Sequence, residues 1–234
     1  FGILIGLLME QIYLGEDTNN QAMDEKGVWM EFIVMVKPKE WVKDYFKFIV
    51  KKLTVKEILK CKGIKKLSEV YTHNAIEAEA CELAGIDMIV SSELNDIEKI
   101  RAAAKNTFLT VGLPYGTYLN ENDILNRSFK LLKMGADAIY CPQGIKLIKA
   151  ITGEGIPVVG HSGFIPYKST FYGGFKAYGK TAIEASKIYE QTLRLQEAGV
   201  FAIEIEIVPS KIAEYISQNL RVLMIGMGSG VGCD

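Results

Sequence analysis

A short run of β-branched residues followed by an amphipathic helix recurs along this chain from about residue 67 onward. The repeat constrains the fold strongly, because strands that alternate with helices pair in parallel and bury their outer faces under those helices. We therefore predict an α/β protein built on a parallel sheet. The candidate strands are Leu67–Tyr71, Asp87–Ser91, Phe108–Gly112, Asp137–Tyr140, Pro157–His161, Phe201–Val208 and Arg221–Gly226.

The helices between these strands carry their own boundary signals. A side-chain oxygen at the cap position accepts a free backbone N–H, and a Glu three residues later reciprocates. Glycine ends helices, because it adopts the left-handed conformation easily. The predicted starts are the pairs Thr54 and Glu57, Asn74 and Glu77, and Thr181 and Glu184. The predicted ends are Gly63, Gly85, Gly135 and Gly199.

The strand Phe201–Val208 distinguishes a closed barrel from an open sheet covered by helices on both faces. Its side chains alternate, so Glu204 and Glu206 share one face while isoleucines occupy the other. An open sheet of this kind needs two apolar faces, whereas the inside of a barrel accepts polar groups near its mouth. We therefore predict a (β/α)8 TIM barrel.

Composition narrows the classes of function. The 234 residues include 27 Lys and Arg against 28 Asp and Glu, so a basic surface for nucleic acid is not indicated. The apolar run at 1–9 is far shorter than the roughly 20 residues of a membrane span. The 4 cysteines are scattered without a C-x-x-C pair, as is typical of a reducing compartment. We expect a cytoplasmic protein that binds neither nucleic acid nor membrane.

Catalytic groups of such barrels lie where strands end and loops begin. Glu206 is the leading candidate, because a carboxylate between two isoleucines is partly desolvated, which raises its pKa toward that of a useful base. A Glu paired with a buried cation is the alternative interpretation. Glu204 lies on the same face, about 6–7 Å deeper, either as a structural partner or as a second functional carboxylate.

Glycines surround two further candidates. His161, one of 2 histidines, lies within Gly160–Gly163, where a backbone or a ligand can approach closely; it is either a site residue or a satisfied polar group. The Gly226–Gly230 run could cradle a phosphate, and close packing at the barrel mouth explains it equally well. Other polar residues at strand ends are His73, Asn74, Ser92, Glu93, Tyr115, Cys141, Gln143, Ser162 and Ser229.

Four motifs follow one another in the second half of the chain. The segments 160–166 (GHSGFIP) and 173–181 (GGFKAYGKT) resemble G-H-x-G-x-x-P and G-G-Y-K-V-Q-G-K-T with their spacing kept. The segments 205–209 (IEIVP) and 225–230 (IGMGSG) resemble L-E-C-V-P and I-G-I-G-A-G. These motifs resemble those of ketopantoate hydroxymethyltransferase (3-methyl-2-oxobutanoate hydroxymethyltransferase), a barrel of the phosphoenolpyruvate/isocitrate lyase type. The resemblance covers about residues 52–234.

The resemblance implies a homo-oligomeric enzyme of pantothenate biosynthesis. The family binds Mg²⁺ and an α-keto acid, removes a proton from the carbon beside the carbonyl, and adds a one-carbon unit from methylenetetrahydrofolate. Glu206 matches its general base and His161 a substrate-binding residue, and we expect Ser92, Tyr140 and Ser229 to contact the substrate too. A metal on the keto acid oxygens would stabilise the enolate, so a modest carboxylate base would suffice.

The positions that bind metal in the family differ in this chain. The first metal aspartate, in G-D-S, corresponds to 92–93 (Ser-Glu), and the second, in A-D-x-P-F, corresponds to Gly112. The lysine and glutamate of K-x-E-G-G become Tyr140 and Pro142. Mg²⁺ binding therefore depends on whether other carboxylates take the places of these residues.

Three hypotheses follow from these differences. In the first, Glu93 and Glu204 rebuild a cation site, because a hard divalent ion needs mainly oxygen ligands, and the family reaction is kept. In the second, the barrel is another lyase or aldolase in which Tyr140, Cys141 and His73 accept a different acid. In the third, catalysis is lost and the protein acts in binding or assembly. Fold alone does not decide among them.

We predict a single barrel domain over residues 1–234, in which 52–234 supply strands one to seven. Residues 1–50 supply either the last strand and helix or an N-terminal extension. A circular permutation would place the eighth strand at 2–8 and the last helix at 40–52, where K-P-K-E-W-V-K-D-Y resembles a later helix of the family. In a rival mapping, Ile3–Thr18 resembles the second-strand region instead.

Overall fold

The computed structural model describes residues 52–234. The strand predicted at 2–8 and all but the last residue of the helix predicted at 40–52 lie outside these residues. Each of the 7 predicted strands is confirmed, with bounds that differ from the prediction by at most two residues. Within 52–234 no helix has both the length and the hydropathy needed to cross a bilayer.

The elements alternate strictly along the described part of the chain. In chain order they are α1 Val55–Cys61, β1 Glu69–Tyr71, α2 Ala75–Ala84, β2 Met88–Ser92, α3 Ile97–Ala103, β3 Phe108–Gly112, α4 Glu121–Lys133, β4 Ala138–Tyr140, α5 Ile145–Gly153, β5 Val158–Gly163, a 3₁₀ turn Pro166–Lys168, α6 Ala182–Glu197, β6 Ala202–Glu206, α7 Ser210–Asn219 and β7 Leu223–Met227.

The strands of the described residues form one parallel sheet in the order β1 to β7, each paired with its neighbour in the chain. Buried side chains from β2 through β7 contact one another in a single inner cluster, so the sheet curves round on itself into a nearly closed barrel. The members of this inner cluster on the strands are Met88, Phe108, Ala138, Val159, Ala202 and Leu223.

The alternate residues of the same strands face outward into a larger apolar cluster beneath the helices. On β6 this outer face carries Ile203 and Ile205, both fully buried, whereas Glu204 and Glu206 face the inside of the barrel. The predicted alternation of this strand is therefore confirmed. It ends at Glu206, because Ile207 takes a left-handed φ of 47°, which a β-branched residue rarely adopts.

The predicted helix starts are also formed. Thr54 and Thr181 each complete a capping box with the Glu three residues later, and Asn74 accepts hydrogen bonds from the backbone of residues 76 and 77. Such caps satisfy N–H groups that have no partner within the helix. They fix where each helix begins relative to the strand before it.

We expect Thr181→Ala to lower the free energy of unfolding by about 1 kcal/mol, because a first-turn N–H of α6 loses its acceptor. Urea denaturation followed by circular dichroism measures the change. Lys187→Ala, at an exposed position of the same helix, is the matched control and should shift stability by less than about 0.5 kcal/mol. Equal effects of the two substitutions would show that the cap contributes nothing.

Candidate active site

A cavity of about 830 Å³ lies inside the barrel and extends toward the carboxyl ends of the strands. Its volume is in the range typical of small-molecule sites. Most of its wall is apolar, with Met88, Val90, Leu223 and Ile225 among the lining residues. The ionisable side chains that line it include Glu69, Tyr140, His161, Glu204 and Glu206, and Lys66 and Asp234 line it as well.

Neighbouring strands β5 and β6 bring the histidine and the carboxylates together. Their register pairs His161 with Glu204 and Gly163 with Glu206. Gly163 has a φ of 85°, and a Cβ on it would collide with the backbone of Glu206. Only glycine fits there, so this position determines how closely the ends of the two strands approach.

The hydrogen bonds of His161 define its tautomer. Nε2 lies 2.8 Å from the carbonyl oxygen of Phe164, which can only accept, so Nε2 carries a hydrogen. Nδ1 lies 2.7 Å from Oη of Tyr140. The carboxylates flank the ring, with Glu204 Oε2 3.7 Å from Nδ1 and Glu206 Oε2 3.4 Å from Nε2.

Charge around His161 favours its protonated form. Burial alone would lower the pKa of this imidazole, but the interaction with Glu204, the carbonyl of Phe164 and the negative charge of Glu206 together raise it above its usual value. The histidine therefore forms the positive centre of a group that is otherwise acidic.

Two carboxyl groups of the cavity, those of Glu206 and Glu69, bind protons more tightly than exposed ones do. Burial raises the pKa of Glu206, the charge of His161 opposes that rise, and the charge of Glu204 adds to it. Burial and the charge of Glu204 raise the pKa of Glu69 to about 8. A carboxylate with a raised pKa is the stronger base, and Glu206 has such a pKa while its side chain stays partly accessible.

Glu69 was not among the residues predicted from the sequence. It is the first residue of β1, and its carboxyl group has no hydrogen-bond partner within the described range 52–234. The signal was present, because Glu69 and Tyr71 alternate with Val70 as Glu204 and Glu206 alternate with isoleucines. A strand of three residues is too short for that alternation to be recognised.

Tyr140 lies over Gly112 on the inner wall of the barrel. A Cβ built on Gly112 would lie 3.3 Å from Cδ1 of the tyrosine ring. Burial raises the pKa of the Tyr140 hydroxyl, and the charges of Glu204 and Glu206 raise it further. The phenol therefore stays protonated and can donate a hydrogen bond.

The two predicted serines have different surroundings. Ser92 lines the cavity, and its Oγ accepts a hydrogen bond from the N–H of Leu94. Ser229 is 1% exposed; its hydroxyl donates to the carbonyl of Ile205 at 2.8 Å and accepts from the N–H of Val208 at 3.1 Å. Ser229 therefore attaches the glycine-rich loop after β7 to the end of β6.

Glu93 lies apart from this group. The residue is 7% exposed. Its carboxylate accepts hydrogen bonds from Nε of Arg127 and from Oη of Tyr118, the latter at 2.8 Å. Arg127 also donates to the carbonyl of Glu93. The expected association of Glu93 with Glu204 is not formed, because Arg127 and Tyr118 hold the Glu93 carboxylate against α4.

Of the three residues in the lyase or aldolase hypothesis, only Tyr140 faces the cavity. Cys141 is fully buried on the other face of the sheet, and burial raises the pKa of its thiol to about 12, opposed in part by a backbone N–H. His73 has a side chain that is 68% exposed and contacts Glu77 in the first turn of α2. Neither is placed to act on a ligand in the cavity.

The residues present do not fit the Mg²⁺ ion that the resemblance implies. The corresponding positions hold 92–93 (Ser-Glu), Gly112, Tyr140 and Pro142. Glu93 is the one carboxylate among them, and it is engaged by Arg127 and Tyr118. Both nitrogens of His161 are engaged by other groups. In the part of the chain that the structure describes, no three His, Cys, Asp or Glu side chains converge as metal ligands would.

Comparison with known proteins is consistent with the fold and the motifs. A family model described as ketopantoate hydroxymethyltransferase matches residues 92–234. The 3-methyl-2-oxobutanoate hydroxymethyltransferase of Kosmotoga olearia is 31% identical over 206 residues, covering 78% of this chain and 77% of that protein. The enzyme of the same name from Nitrosopumilus maritimus is 34% identical over 197 residues, covering 74% and 71%.

A solved structure supports the architecture. The crystal structure of 2,3-dimethylmalate lyase, a member of the PEP mutase/isocitrate lyase superfamily, aligns with a TM-score of 0.54 and 12% identity. The alignment covers 74% of this chain and 71% of the lyase. At that identity the likeness concerns the fold alone, and it confirms the predicted barrel type.

Proposed function

Because the chain belongs to the ketopantoate hydroxymethyltransferase family, we propose that it converts a small α-keto acid into its enolate and adds a one-carbon unit to the enolate carbon. The substrate class is that of 3-methyl-2-oxobutanoate. The one-carbon donor is methylenetetrahydrofolate, as the family resemblance implies. Glu206 is the general base, and the reaction belongs to pantothenate biosynthesis.

The placement of Glu206 supports this proposal most directly. Its carboxylate lies in the cavity, 3.4 Å from the His161 imidazole, and burial raises its pKa. A base that removes a proton from carbon must be both basic and accessible to the substrate. Glu206 meets both conditions, while the more deeply buried Glu204 lies on the far side of the imidazole.

The steps assigned to protein groups are few. Glu206 takes a proton from C3 of the keto acid, the C–H electron pair forms the C2–C3 double bond, and the carbonyl electrons move onto oxygen. The enolate carbon then attacks the methylene carbon of methylenetetrahydrofolate. Both C–N bonds of that carbon break in turn, water supplies the hydroxyl group, and tetrahydrofolate leaves. The apolar wall of the cavity limits water around the enolate, which strengthens electrostatic interactions with it. Mg²⁺ has no role in these steps, because the residues at the family's metal positions do not fit the ion.

The same proposal includes a cytoplasmic location and self-association. All 4 cysteines are free among the described residues, as is usual in a reducing compartment. The segment after β5 exposes Tyr167, Phe171 and Phe175, and large exposed apolar side chains in one segment favour an interface between subunits. Family resemblance points in the same direction.

We expect the protein to catalyse exchange of the C3 proton of 3-methyl-2-oxobutanoate in D₂O without any one-carbon donor. Proton NMR would follow the loss of the C3 signal and the collapse of the methyl doublet. Addition of methylenetetrahydrofolate should then give ketopantoate. Pyruvate, which lacks the branched carbon, is the control substrate and should exchange more slowly. Exchange no faster than in buffer would overturn the proposal.

A further inference from the structure

The geometry points to an enolate that is stabilised by the Tyr140 hydroxyl, with His161 behind it, in the place where the family resemblance implies a divalent cation. We propose that this chain carries out its proton abstraction without a metal. The inference rests on the proposed function, and it deepens that function by naming the protein group that stabilises the negative charge on the enolate oxygen.

Gly112 and Tyr140 are in close contact on the inner wall of the barrel. Gly112 corresponds to a metal-binding aspartate of the family, and the Tyr140 ring lies over it, 3.3 Å from where a Cβ would be. A side chain on residue 112 would therefore be in close contact with the ring, which would have to shift by a few tenths of an ångström. Tyr140 itself stands where the family has lysine, and Pro142 stands where it has glutamate.

The hydrogen bonds of His161 determine whether the Tyr140 hydroxyl can donate to a ligand. The carbonyl of Phe164 keeps a hydrogen on Nε2 of His161, so the form of Nδ1 determines the role of the phenol. A neutral imidazole would accept the phenol hydrogen at Nδ1. A protonated imidazole donates Nδ1–H to Oη of Tyr140 and leaves the phenol hydrogen free for another acceptor.

The negative charges around His161 favour its protonated form. Glu204 and Glu206 on β6 lie on either side of the His161 ring, at 3.7 Å and 3.4 Å, and stabilise its protonated form. Glu69 on β1 also contributes negative charge to the same wall when it is ionised, and burial raises its pKa to about 8. Near neutral pH it therefore holds its proton, which lessens the repulsion of an anionic keto acid.

The resulting step balances without a co-reactant. Glu206 accepts the C3 proton, the C–H pair becomes the C2–C3 double bond, and the carbonyl pair moves onto oxygen. The Tyr140 O–H donates a hydrogen bond to that oxygen and keeps its proton. A donor fixed in a partly dry site and supported by a positive charge stabilises an oxyanion strongly.

The test compares wild type with Tyr140→Phe, which keeps the ring over Gly112 and removes only the hydroxyl. C3 exchange is measured in EDTA and in MgCl₂. We expect wild-type exchange to change by less than about twofold between the two conditions, and Tyr140→Phe to lower kcat about 100-fold in both. Tyr189→Phe, on helix α6 away from the cavity lining, is the matched control and should retain full exchange. EDTA-sensitive exchange restored by Mg²⁺, or full exchange by Tyr140→Phe, overturns the inference.

The wild type could fail to catalyse C3 exchange, and that result would contradict the proposed function but not the role of Tyr140. A second measurement, of ligand binding, then tests the inference. Oxalate, a planar analogue of the enolate, is titrated by calorimetry in EDTA. Binding by wild type that weakens at least about tenfold in Tyr140→Phe supports the role of the hydroxyl. Binding that requires Mg²⁺, or no binding in EDTA, overturns it. Mn²⁺ followed by electron paramagnetic resonance should show no tight site.

Discussion

Glu206→Gln is expected to lower kcat for C3 exchange at least about 10³-fold, because glutamine has nearly the same shape as glutamate and cannot accept the proton. KM should change little, since the substitution leaves the cavity wall in place. Exchange of 3-methyl-2-oxobutanoate in D₂O, measured by NMR at several substrate concentrations, separates the two constants. Glu190→Gln, at an exposed position of α6, is the matched control.

A measurement of stability shows whether Glu206→Gln loses activity because the base is missing or because the protein unfolds. The pKa of Glu206 is raised in the folded protein, so folding favours the protonated form, and stability from this group is lost as pH rises through the folded pKa. Glutamine mimics the neutral form. We therefore expect Glu206→Gln to keep or raise the Tm at pH 8 while activity is lost. Residual exchange within about tenfold of wild type would exclude Glu206 as the base.

The pH dependence of wild-type exchange should follow from the same groups. The rate should rise with pH as Glu206 loses its proton, through a pKa higher than that of an ordinary glutamate. It should fall again as His161 loses its proton, above the usual histidine range. The rising limb should disappear in Glu206→Gln, because the variant has no carboxylate at this position.

Arg127→Met is expected to lower the free energy of unfolding by about 2–4 kcal/mol. Among residues 52–234, the substitution leaves the Glu93 carboxylate, whose side chain is 4% exposed, with the Tyr118 hydroxyl as its one side-chain donor. Removing one partner of a buried ion pair costs roughly 3–5 kcal/mol, and partial exposure of Arg127 reduces the loss. Urea denaturation measures it, with the exposed Arg194→Met as control.

A double substitution shows whether the ion pair is the cause. Glu93→Gln combined with Arg127→Met should be less destabilising than the sum of the single changes, because no unpaired buried charge remains. Exchange activity measured at a temperature where all variants are folded should be close to wild type, since Glu93 faces away from the cavity. Additive losses would mean that Arg127 stabilises the protein through packing alone.

The fold could be read from the sequence because its signals are local. Runs of β-branched residues marked each strand, and the pair Glu204 and Glu206 showed which face of β6 turns inward. The surroundings of Glu93 could not be inferred in this way. Its partner Arg127 is 34 residues away on helix α4, and only the tertiary fold brings the two together.

Two local features at the end of β6 could not be predicted from the sequence either. Ile207 adopts a left-handed backbone that isoleucine disfavours, so no propensity would have placed the end of β6 before it. Ser229 was predicted to contact the substrate because it lies in a glycine-rich run. Its hydroxyl instead donates to the carbonyl of Ile205 and accepts from the N–H of Val208. In both cases the tertiary contacts at the end of β6 override the local signal.

The close packing of Tyr140 on Gly112 has a consequence for how the two positions can change. An aspartate introduced at 112 while the aromatic ring remains would place its Cβ 3.3 Å from the ring, and the ring would have to shift slightly. The hydroxyl of the same ring lies 2.7 Å from His161. A substitution at 112 therefore acts on His161 through Tyr140, and the two positions cannot change independently of each other.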